Sequence, residues 1–292
     1  MELIRVFPSP GSERGGNPAP VWLAADGLST AQMQERTRAS GHESVFVLRA
    51  SDPAAHDWRM RYFVPRHEME MCGHATLGAL WLLHRDGHWS GRPTTVETLS
   101  GTVHGRHVDG LVEISQPRAT VQAVGEVLRD EIARCLRITP TQILGTVLNA
   151  STSRVKTLVR LQNVEALHAL RPDFTAVEAL CECLGSTGLY PYAVADGAEA
   201  TVSARQFPKS SGYPEDAATG IAAAALAWGL REAGLVGEAA TLVTVRQGEA
   251  MGSPSAIFVR LPAATATTEG CWLRGEARAM PSPSSKESHD SH

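Results

Sequence analysis

The sequence lacks three features that would each point to a class of protein: an excess of positive charge, a long apolar run and a cysteine framework. Its 292 residues include 27 Lys and Arg against 31 Asp and Glu, so the formal net charge is −4. Because there is no basic excess to neutralise nucleic-acid phosphates, we expect no nucleic-acid partner. Five cysteines, an odd number, do not predict a set of disulfides.

Targeting and cofactor signals are missing as well. The chain reaches Pro8 without the apolar stretch of roughly 7–15 residues that a signal peptide contains. The longest apolar run, residues 221–230, is well short of the ~18 residues of a membrane span. Neither the G-x-x-x-x-G-K-[ST] nor the G-x-G-x-x-G fingerprint occurs, so no nucleotide cofactor is implied. These absences favour a cytoplasmic protein that binds no membrane and uses no cofactor.

The sequence does contain enough apolar residues for a sizeable core. Apolar residues make up 43% of the chain and charged residues 20%. This composition is typical of a folded protein and not of a disordered one. At roughly 150 residues per domain, the length favours two domains.

Two segments, residues 75–86 and 219–233, are apolar on almost every side, and each is followed by a glycine. A helix without a polar face is one that other elements enclose. Strand-like segments precede and follow each helix, so the two halves share one plan. We therefore predict an α+β (α/β) protein with two similar lobes, residues 1–117 and 118–263. A segment near 264–280 is expected to join the first lobe, and the tail, 281–292, to be disordered.

A polar cluster begins each of these helices: residues 71–76 (MCGHAT) and 214–220 (PEDAATG). The first N–H groups of a helix lack intrahelical partners and carry the positive end of the helix dipole, so they suit a small acidic ligand. Gly73 and Gly220 would let such a ligand approach the backbone. The alternative is that Thr76, Asp216 and Thr219 only cap their helices.

Five motifs occur in the order and spacing of a known family: residues 16–21 (GNPAPV), 43–47 (ESVFV), 72–79 (CGHATLGA), 215–220 (EDAATG) and 251–255 (MGSPS). Together they make the chain resemble the PhzF-like isomerase/epimerase family, whose relatives include diaminopimelate epimerase and proline racemase. The resemblance implies a diaminopimelate epimerase-like fold, in which each lobe is a curled β-sheet around a central helix. It also implies an active site in the interdomain cleft and assembly as a homodimer.

The resemblance assigns roles to three residues. The epimerase relatives use a cysteine from each lobe, but this chain has Cys72 in the first position and Asp216 in the second, which argues against a two-thiol racemase. The phenazine-type members rely on a glutamate, a histidine and an aspartate, which Glu43, His74 and Asp216 match. This branch implies a cofactor-free isomerase that shifts a proton and a double bond in a small unsaturated carboxylic or amino acid.

Glu43 is the expected general acid and base. Removal of a proton beside a carbonyl or imine needs a base aimed at the carbon and stabilisation of the developing charge. Burial would raise the pKa of Glu43 toward neutrality, so that it could both take and return the proton. His74 and Asp216 are expected to orient the substrate or to pass a proton to a heteroatom, while amides near Gly73 and Gly220 hold its carboxylate.

Further substrate contacts are expected close to these residues. The expected contact residues are Asn17, Cys72, Gly73, Thr219, Gly220 and Ile221. No metal is expected, because Cys181 and Cys183 are too closely spaced and too isolated for a zinc site. The chain departs from the family pattern at Ala217, where a proline is usual, at Ile221, where many members have serine, and at Ser253, where they have arginine. These changes favour a less polar substrate than the phenazine precursor.

Two alternatives to an isomerase of bacterial secondary-metabolite or antibiotic biosynthesis stay open. In the first, Cys72 works with Asp216 or Glu43 in an amino-acid racemase or epimerase. In the second, the chain is a catalytically silent binding protein on the same fold, since a fold does not dictate chemistry.

Overall fold

The computed structural model describes residues 1–195, 200–266 and 268–281, which form two compact units. Of the described residues, the first unit contains Met1–Val6, Asn17–Val112 and 276–281, and the second contains Phe7–Gly16 and those between Glu113 and Gly275. The lobe boundaries predicted after residues 117 and 263 stay predictions, because neither unit has been shown to fold alone. Of the predicted disordered tail, all but Pro281 lies outside the described residues.

Strands and helices alternate along the described chain. The strands are β1 (Glu2–Val6), β2 (Asn17–Trp22), β3 (Ser44–Leu48), β4 (Trp58–Phe63), β5 (Glu68–Met69), β6 (Thr94–Thr98), β7 (Gly101–Val108), β8 (Leu111–Gln116), β9 (Thr120–Ala123), β10 (Leu148–Ser151), β11 (Val155–Arg160), β12 (Gly188–Val194), β13 (Thr201–Ala204), β14 (Phe207–Pro208), β15 (Leu242–Gln247), β16 (Ser255–Arg260), β17 (Cys271–Gly275) and β18 (Ala277–Ala279). The α-helices are α1 (Thr30–Ser40), α2 (Gly73–Arg85), α3 (Arg129–Leu136), α4 (Val164–Ala169), α5 (Phe174–Leu184) and α6 (Gly220–Glu232).

In the first unit, hydrogen-bonded strands follow the order β18–β1–β2–β3–β4–β6–β7. The successive pairs are antiparallel, antiparallel, parallel, antiparallel, parallel and antiparallel. Because parallel neighbours need a crossover connection, α1 joins β2 to β3, and α2 lies in the connection from β4 to β6.

The second unit repeats this plan in the order β9–β10–β11–β12–β13–β15–β16. Its pairs are again antiparallel, antiparallel, parallel, antiparallel, parallel and antiparallel. Helices α4 and α5 join β11 to β12, and α6 lies in the connection from β13 to β15. The prediction of two similar lobes is therefore confirmed.

Each unit has one central helix that strands enclose. Helix α2 packs against β1, β2, β3 and β18, and α6 packs against β10, β11, β16 and β17. Ten residues of α2 and ten of α6 are buried, as their apolar sequences predict. A Cβ at Gly229 in α6 would lie 2.3 Å from Leu158 Cδ1, so this glycine lets β11 approach the helix closely.

The sequence places one capped helix correctly and misplaces two elements. In the sequence, Ser29 followed by Gln32 is a capping-box pattern that predicts a helix over about residues 30–40, and α1 confirms it, since Ser29 Oγ accepts from Gln32 N and Gln32 Oε1 accepts from Ser29 N. Residue patterns also predict a helix over 124–135, but α3 begins only at Arg129, after a 3-10 turn, Glu126–Leu128. A strand predicted near 142–148 is largely a loop after a 3-10 turn, Pro140–Gln142, which begins at a capping box on Thr139.

Among the described residues, no helix is both long enough and apolar enough to cross a membrane.

Candidate active site

Three predicted residues meet at the amino-terminal end of α2 in the first unit. Glu43 directly precedes β3, Cys72 is the N-cap of α2, and His74 is the second residue of that helix. The Cys72 thiol donates to Glu43 Oε2 at 3.3 Å, and its Sγ lies 3.4 Å from His74 Nδ1. The His74 Nδ1 atom is 3.9 Å from Glu43 Oε2. The thiol thus contacts both the carboxylate and the imidazole, and it lies between two groups that do not hydrogen-bond to each other directly.

These three side chains differ in their exposure. Cys72 is 6% exposed, the His74 side chain 10% and the Glu43 side chain 30%. Glu43 is therefore the member of this group most open to a ligand, and the other two support it from the buried side. The neighbouring His42 has its pKa lowered, first by burial and second by the His74 ring, which favours its neutral form.

The start of α2 is fixed by two buried hydroxyl groups. The hydroxyls of Tyr62 and Thr76 lie 2.7 Å apart, and Thr76 Oγ1 donates to the Cys72 carbonyl at 2.7 Å. Complete burial raises the pKa of Tyr62 far above its usual value, so the phenol stays neutral. Thr76 therefore positions the backbone of Cys72 and does not act as the N-cap of α2. The Cys72 side chain caps no N–H group either.

A second polar network lies at the start of α6. Thr219 Oγ1 donates to Asp216 Oδ2 at 2.5 Å, and Thr219, the N-cap, makes no side-chain cap hydrogen bond. Gln247, the last residue of β15, connects this network: its Nε2 donates to the Asp216 carbonyl at 2.7 Å, and its Oε1 accepts from Thr219 N at 3.3 Å. Tyr190 Oη also donates to that Oε1, at 2.8 Å. Burial, and next the Asp216 charge, raise the pKa of Tyr190 well above its usual value.

A buried ion pair holds the loop before α6. Arg205 Nε and Nη2 donate to the two carboxylate oxygens of Glu215 at 2.8 and 2.7 Å, and both side chains are less than 10% exposed. Arg205 also donates to the Leu170 carbonyl at 2.9 Å, so the loop is tied to the end of α4. Such a two-pronged pair fixes geometry as well as charge. Glu215, adjacent to Asp216, is thus a positioning residue.

The remaining predicted contact residues have simpler settings. Gly73 and Gly220 are the buried first residues of α2 and α6, and Ile221, the second residue of α6, is half-buried. A Cβ at Gly220 would lie 3.1 Å from Leu273 Cδ1, so a side chain here would meet tight packing within the second unit. Asn17 begins β2 and pairs with Val6 of β1.

The first cluster has the ligand types of a metal site. One ligand atom each from Glu43, Cys72 and His74 lies within 4.8 Å of the others, and within the described ranges this is the one group of such residues close enough to share an ion. Three ligands of this kind suit Zn²⁺ with an open fourth position. The pair Cys181 and Cys183 belongs to no such group within those ranges, and Cys181 is buried while Cys183 is exposed.

Sequence reasoning missed Tyr190 and Gln247. Tyr190 lies in the middle of β12 and Gln247 at the end of β15, where residue patterns predict a strand and give no sign of a polar network. Their roles depend on pairing between segments that are distant in the chain. The MGSPS motif begins four residues after Gln247 and was the nearest available signal.

Comparison with known proteins gives a consistent result. The family profile described as "Phenazine biosynthesis-like protein" matches residues 9–281. A Salmonella typhimurium protein named "Uncharacterized isomerase YddE" is 31% identical over 274 residues, which cover 90% of each chain. A Pseudomonas fluorescens protein named "Trans-2,3-dihydro-3-hydroxyanthranilate isomerase" is 31% identical over 254 residues, which cover 84% of each chain.

A solved structure extends the likeness to the fold. A phenazine biosynthesis protein of the PhzF family from Bacillus anthracis superposes with a TM-score of 0.83 at 22% identity, and the match covers 96% of this chain and 97% of that one. At this identity the likeness shows the fold alone, and it agrees with the fold that the sequence motifs implied.

Proposed function

The chain belongs to the phenazine biosynthesis-like (PhzC-PhzF) family and is an isomerase, and we propose that it catalyses a cofactor-independent proton shift in a small unsaturated carboxylic or amino acid. The observation that carries the proposal is the contact of the partly exposed Glu43 carboxylate with the Cys72 thiol and its nearness to His74. Glu43 is the one carboxylate in this cluster, and it is open enough to reach a carbon atom of a ligand.

Glu43 performs the proton transfer in two steps. Its carboxylate takes a proton from a carbon beside an unsaturated group, and the electron pair of the broken C–H bond spreads over the adjacent double bond. The resulting carboxylic acid then returns the proton to another carbon of the same system, so that the double bond has moved and Glu43 is again ionised. The Cys72 thiol donates a hydrogen bond to Glu43 Oε2 and so holds this oxygen in place for the transfer.

His74 and the start of α2 stabilise the charge that develops. The His74 ring lies against both Cys72 and Glu43 and can pass a proton to a heteroatom of the substrate. Because the Cys72 side chain caps no N–H group, the first N–H groups of α2 are suited to a carboxylate. Asp216 and Thr219 are proposed as orienting groups for substrate, a part of the proposal that rests on the family motif.

The name of a relative supports a substrate class for the proposal. One homologue is named for isomerisation of trans-2,3-dihydro-3-hydroxyanthranilate, a cyclic amino acid with conjugated unsaturation. We propose a related but less polar acid for this chain, because Ile221 and Ser253 replace a hydroxyl and a guanidinium expected from the family pattern. Homodimer assembly, a cytoplasmic location and a role in antibiotic or other secondary-metabolite biosynthesis belong to the same proposal and rest on the resemblance.

Solvent deuterium tests this proposal. The protein is incubated in deuterium oxide with trans-2,3-dihydro-3-hydroxyanthranilate and with a panel of β,γ-unsaturated amino and carboxylic acids, and label at carbon is followed by NMR. We expect label in at least one compound and a loss of about 10³-fold in its incorporation by Glu43→Gln.

Glu35→Gln is the matched control, because Glu35 lies on the exposed face of α1 in the same unit and pairs only with Arg38 there. Near-normal turnover by Glu43→Gln contradicts the proton route. Absence of label from every compound favours the silent binding protein.

A second function is favoured by the position of the Cys72 thiol. Its Sγ contacts both Glu43 and His74, so a thiol-based racemase or epimerase is chemically possible at this site. Cys72→Ser separates the two: a loss of less than about tenfold supports Glu43 as the proton carrier, whereas a loss near 10³-fold supports the racemase.

A further inference from the structure

Lysine is rare in this protein, and one lysine occupies an unusual place. The 27 basic residues include only Lys156, Lys209 and Lys286 as lysines. Lys209 is paired with Glu182, and Lys286 lies outside the described residues. Lys156, in β11, is only 5% exposed, and over the described ranges its ammonium forms no hydrogen bond and no ion pair. A lysine that is this little exposed and makes no hydrogen bond is costly, so its presence needs a reason.

The Lys156 side chain lies on the face of β11 that covers α6. Side chains alternate along a strand, so Lys156 shares its face with Leu158, which packs at Gly229 of α6. Tyr190 of β12 pairs with Leu158 in register and donates to Gln247. This face of the sheet therefore carries both Lys156 and the network of Asp216, Thr219 and Gln247.

A glutamine side chain without partners lies next to Lys156. Lys156 and Gly188 directly precede Thr157 and Leu189, which pair in the parallel ladder, so Gly188 is the strand neighbour of Lys156. A Cβ at Gly188 would lie 2.3 Å from Gln206 Nε2, so the glycine makes room for the Gln206 carboxamide. Gln206 is 1% exposed, and across the described part of the chain neither its Nε2 nor its Oε1 has a hydrogen-bond partner.

We propose that Lys156 and Gln206 form a binding subsite for a carboxylate, with the Lys156 ammonium and the Gln206 amide as donors to its oxygens. Buried polar groups in folded proteins are almost always paired, so the unpaired Gln206 carboxamide, together with a lysine of the neighbouring strand that makes no hydrogen bond in the described ranges, indicates a ligand with acceptor atoms. The Gln206 carbonyl accepts from Asp216 N at 3.1 Å, which ties this subsite to the Asp216 loop. The subsite deepens the proposed function and rests on it only for the identity of the carboxylate compound.

The charge balance of the second unit is consistent with this subsite. Burial lowers the pKa of Lys156 to about 8, while the Asp216 charge acts in the opposite direction. Arg154 lowers this pKa further, and Cys181 raises it slightly. A bound carboxylate would restore the full ammonium charge, because an adjacent opposite charge favours the charged form.

Carbamylation by cyanate tests the subsite directly. Cyanate modifies only neutral amines, so Lys156 should react faster than Lys209, whose hydrogen bond to Glu182 raises its pKa. The rate at each lysine of the full-length protein is read by mass spectrometry in sodium acetate, sodium chloride or acetamide at ~0.1 M, with ionic strength matched. We expect acetate to slow carbamylation of Lys156 about fivefold relative to chloride, and acetamide to have no effect.

Two results overturn the proposal: equal rates at Lys156 in acetate and chloride, or no carbamylation of Lys156 in the native protein. Gln206→Leu tests the second donor and should reduce protection by acetate at least about threefold. Gln122→Leu, an exposed change in β9 of the same unit, is the matched control and should leave protection unchanged. Equal protection in the two variants rules out Gln206 as a donor.

The subsite and the proposed function can fail separately. Protection of Lys156 by acetate together with near-normal turnover by Glu43→Gln leaves the subsite standing and removes the proton route. If turnover depends on Glu43 but acetate does not protect Lys156, the proton route stands and the subsite is removed.

Discussion

The starts of α2 and α6 are equivalent in topology but differ in chemistry. Counted from the helix start, Cys72 corresponds to Thr219, Gly73 to Gly220 and His74 to Ile221. The α2 start brings together a carboxylate, a thiol and an imidazole, each able to exchange a proton. The α6 start holds a hydroxyl, an amide and a carboxylate in a hydrogen-bonded network. The same framework thus supports reactive groups in one unit and a fixed polar arrangement in the other.

Replacement of the imidazole should have the largest effect. We expect His74→Gln to lower kcat by 10²–10³-fold, because the variant loses a group that can pass a proton. The control is His88→Gln at an exposed histidine of the same unit, which should change kcat by less than about threefold. Similar losses in the two variants would show that the imidazole at the α2 start has no special part in turnover.

Breaking the polar network at the start of α6 should lower the stability of the protein. Gln247→Leu leaves Tyr190 Oη, Thr219 N and the Asp216 carbonyl without their Gln247 partner, and buried groups that lose a partner cost about 1–3 kcal/mol. Denaturant unfolding should show a free energy of unfolding lower by about that amount. Cys72→Ser is the comparison at the other helix start and should lower it by less than about 1 kcal/mol. If Cys72→Ser lowers the free energy of unfolding more than Gln247→Leu does, the α2 start is the more rigid of the two, contrary to the description above.

Inhibition by zinc should distinguish the start of α2 from the start of α6. Because Glu43, Cys72 and His74 offer three ligand atoms within 4.8 Å, we expect Zn²⁺ to inhibit turnover reversibly, with recovery after addition of a chelator. Cys72→Ser should weaken this inhibition about tenfold, since the thiolate is the softest ligand. Cys183→Ser, at the exposed cysteine, is the control. Equal inhibition of Cys72→Ser and the parent protein would place the metal elsewhere.

Lys156 should give the smallest effect, and one that depends on pH. Its pKa is lowered from 10.5 to about 8, so its contribution to stability is fully present above pH 10.5 and is lost as the pH falls through about 8. Between about pH 9 and pH 7 the parent protein should lose about 1 kcal/mol of unfolding free energy through Lys156. Lys156→Met has no amine to titrate, so it should not show this loss. Thermal unfolding at the two pH values measures the difference, with Lys209→Met as the control. If the difference in stability between Lys156→Met and the parent does not change with pH, the lowered pKa of Lys156 is contradicted.

The sequence alone predicted the elements whose signals are local. Helix α1 has the predicted bounds because Ser29 and Gln32 form a capping box within four residues, and α2 and α6 are recognisable because a run of apolar residues forces burial. The structure brings Glu43, Cys72 and His74 together, three residues that the motifs singled out.

The parts that were missed depend on pairing between distant segments. Strand β9 is short and mostly exposed, and its place is set by pairing with β10, so its own residues carry a weak pattern. Gln247 and Gln206 are polar residues at or just beyond the ends of strands, where turn residues are also common. Only the fold shows that one connects a network and that the other is buried without partners.

The two units share one order of parallel and antiparallel strand pairs, and this bears on how the protein evolved. Each central helix lies in the connection between two parallel strands of its own unit, so the strand order sets no requirement that the two helix starts carry the same residues. After duplication of an ancestral half-length gene, each copy could therefore accumulate changes at its own helix start under separate selection. The imidazole at the second residue of α2 and the isoleucine at the second residue of α6 are such a difference.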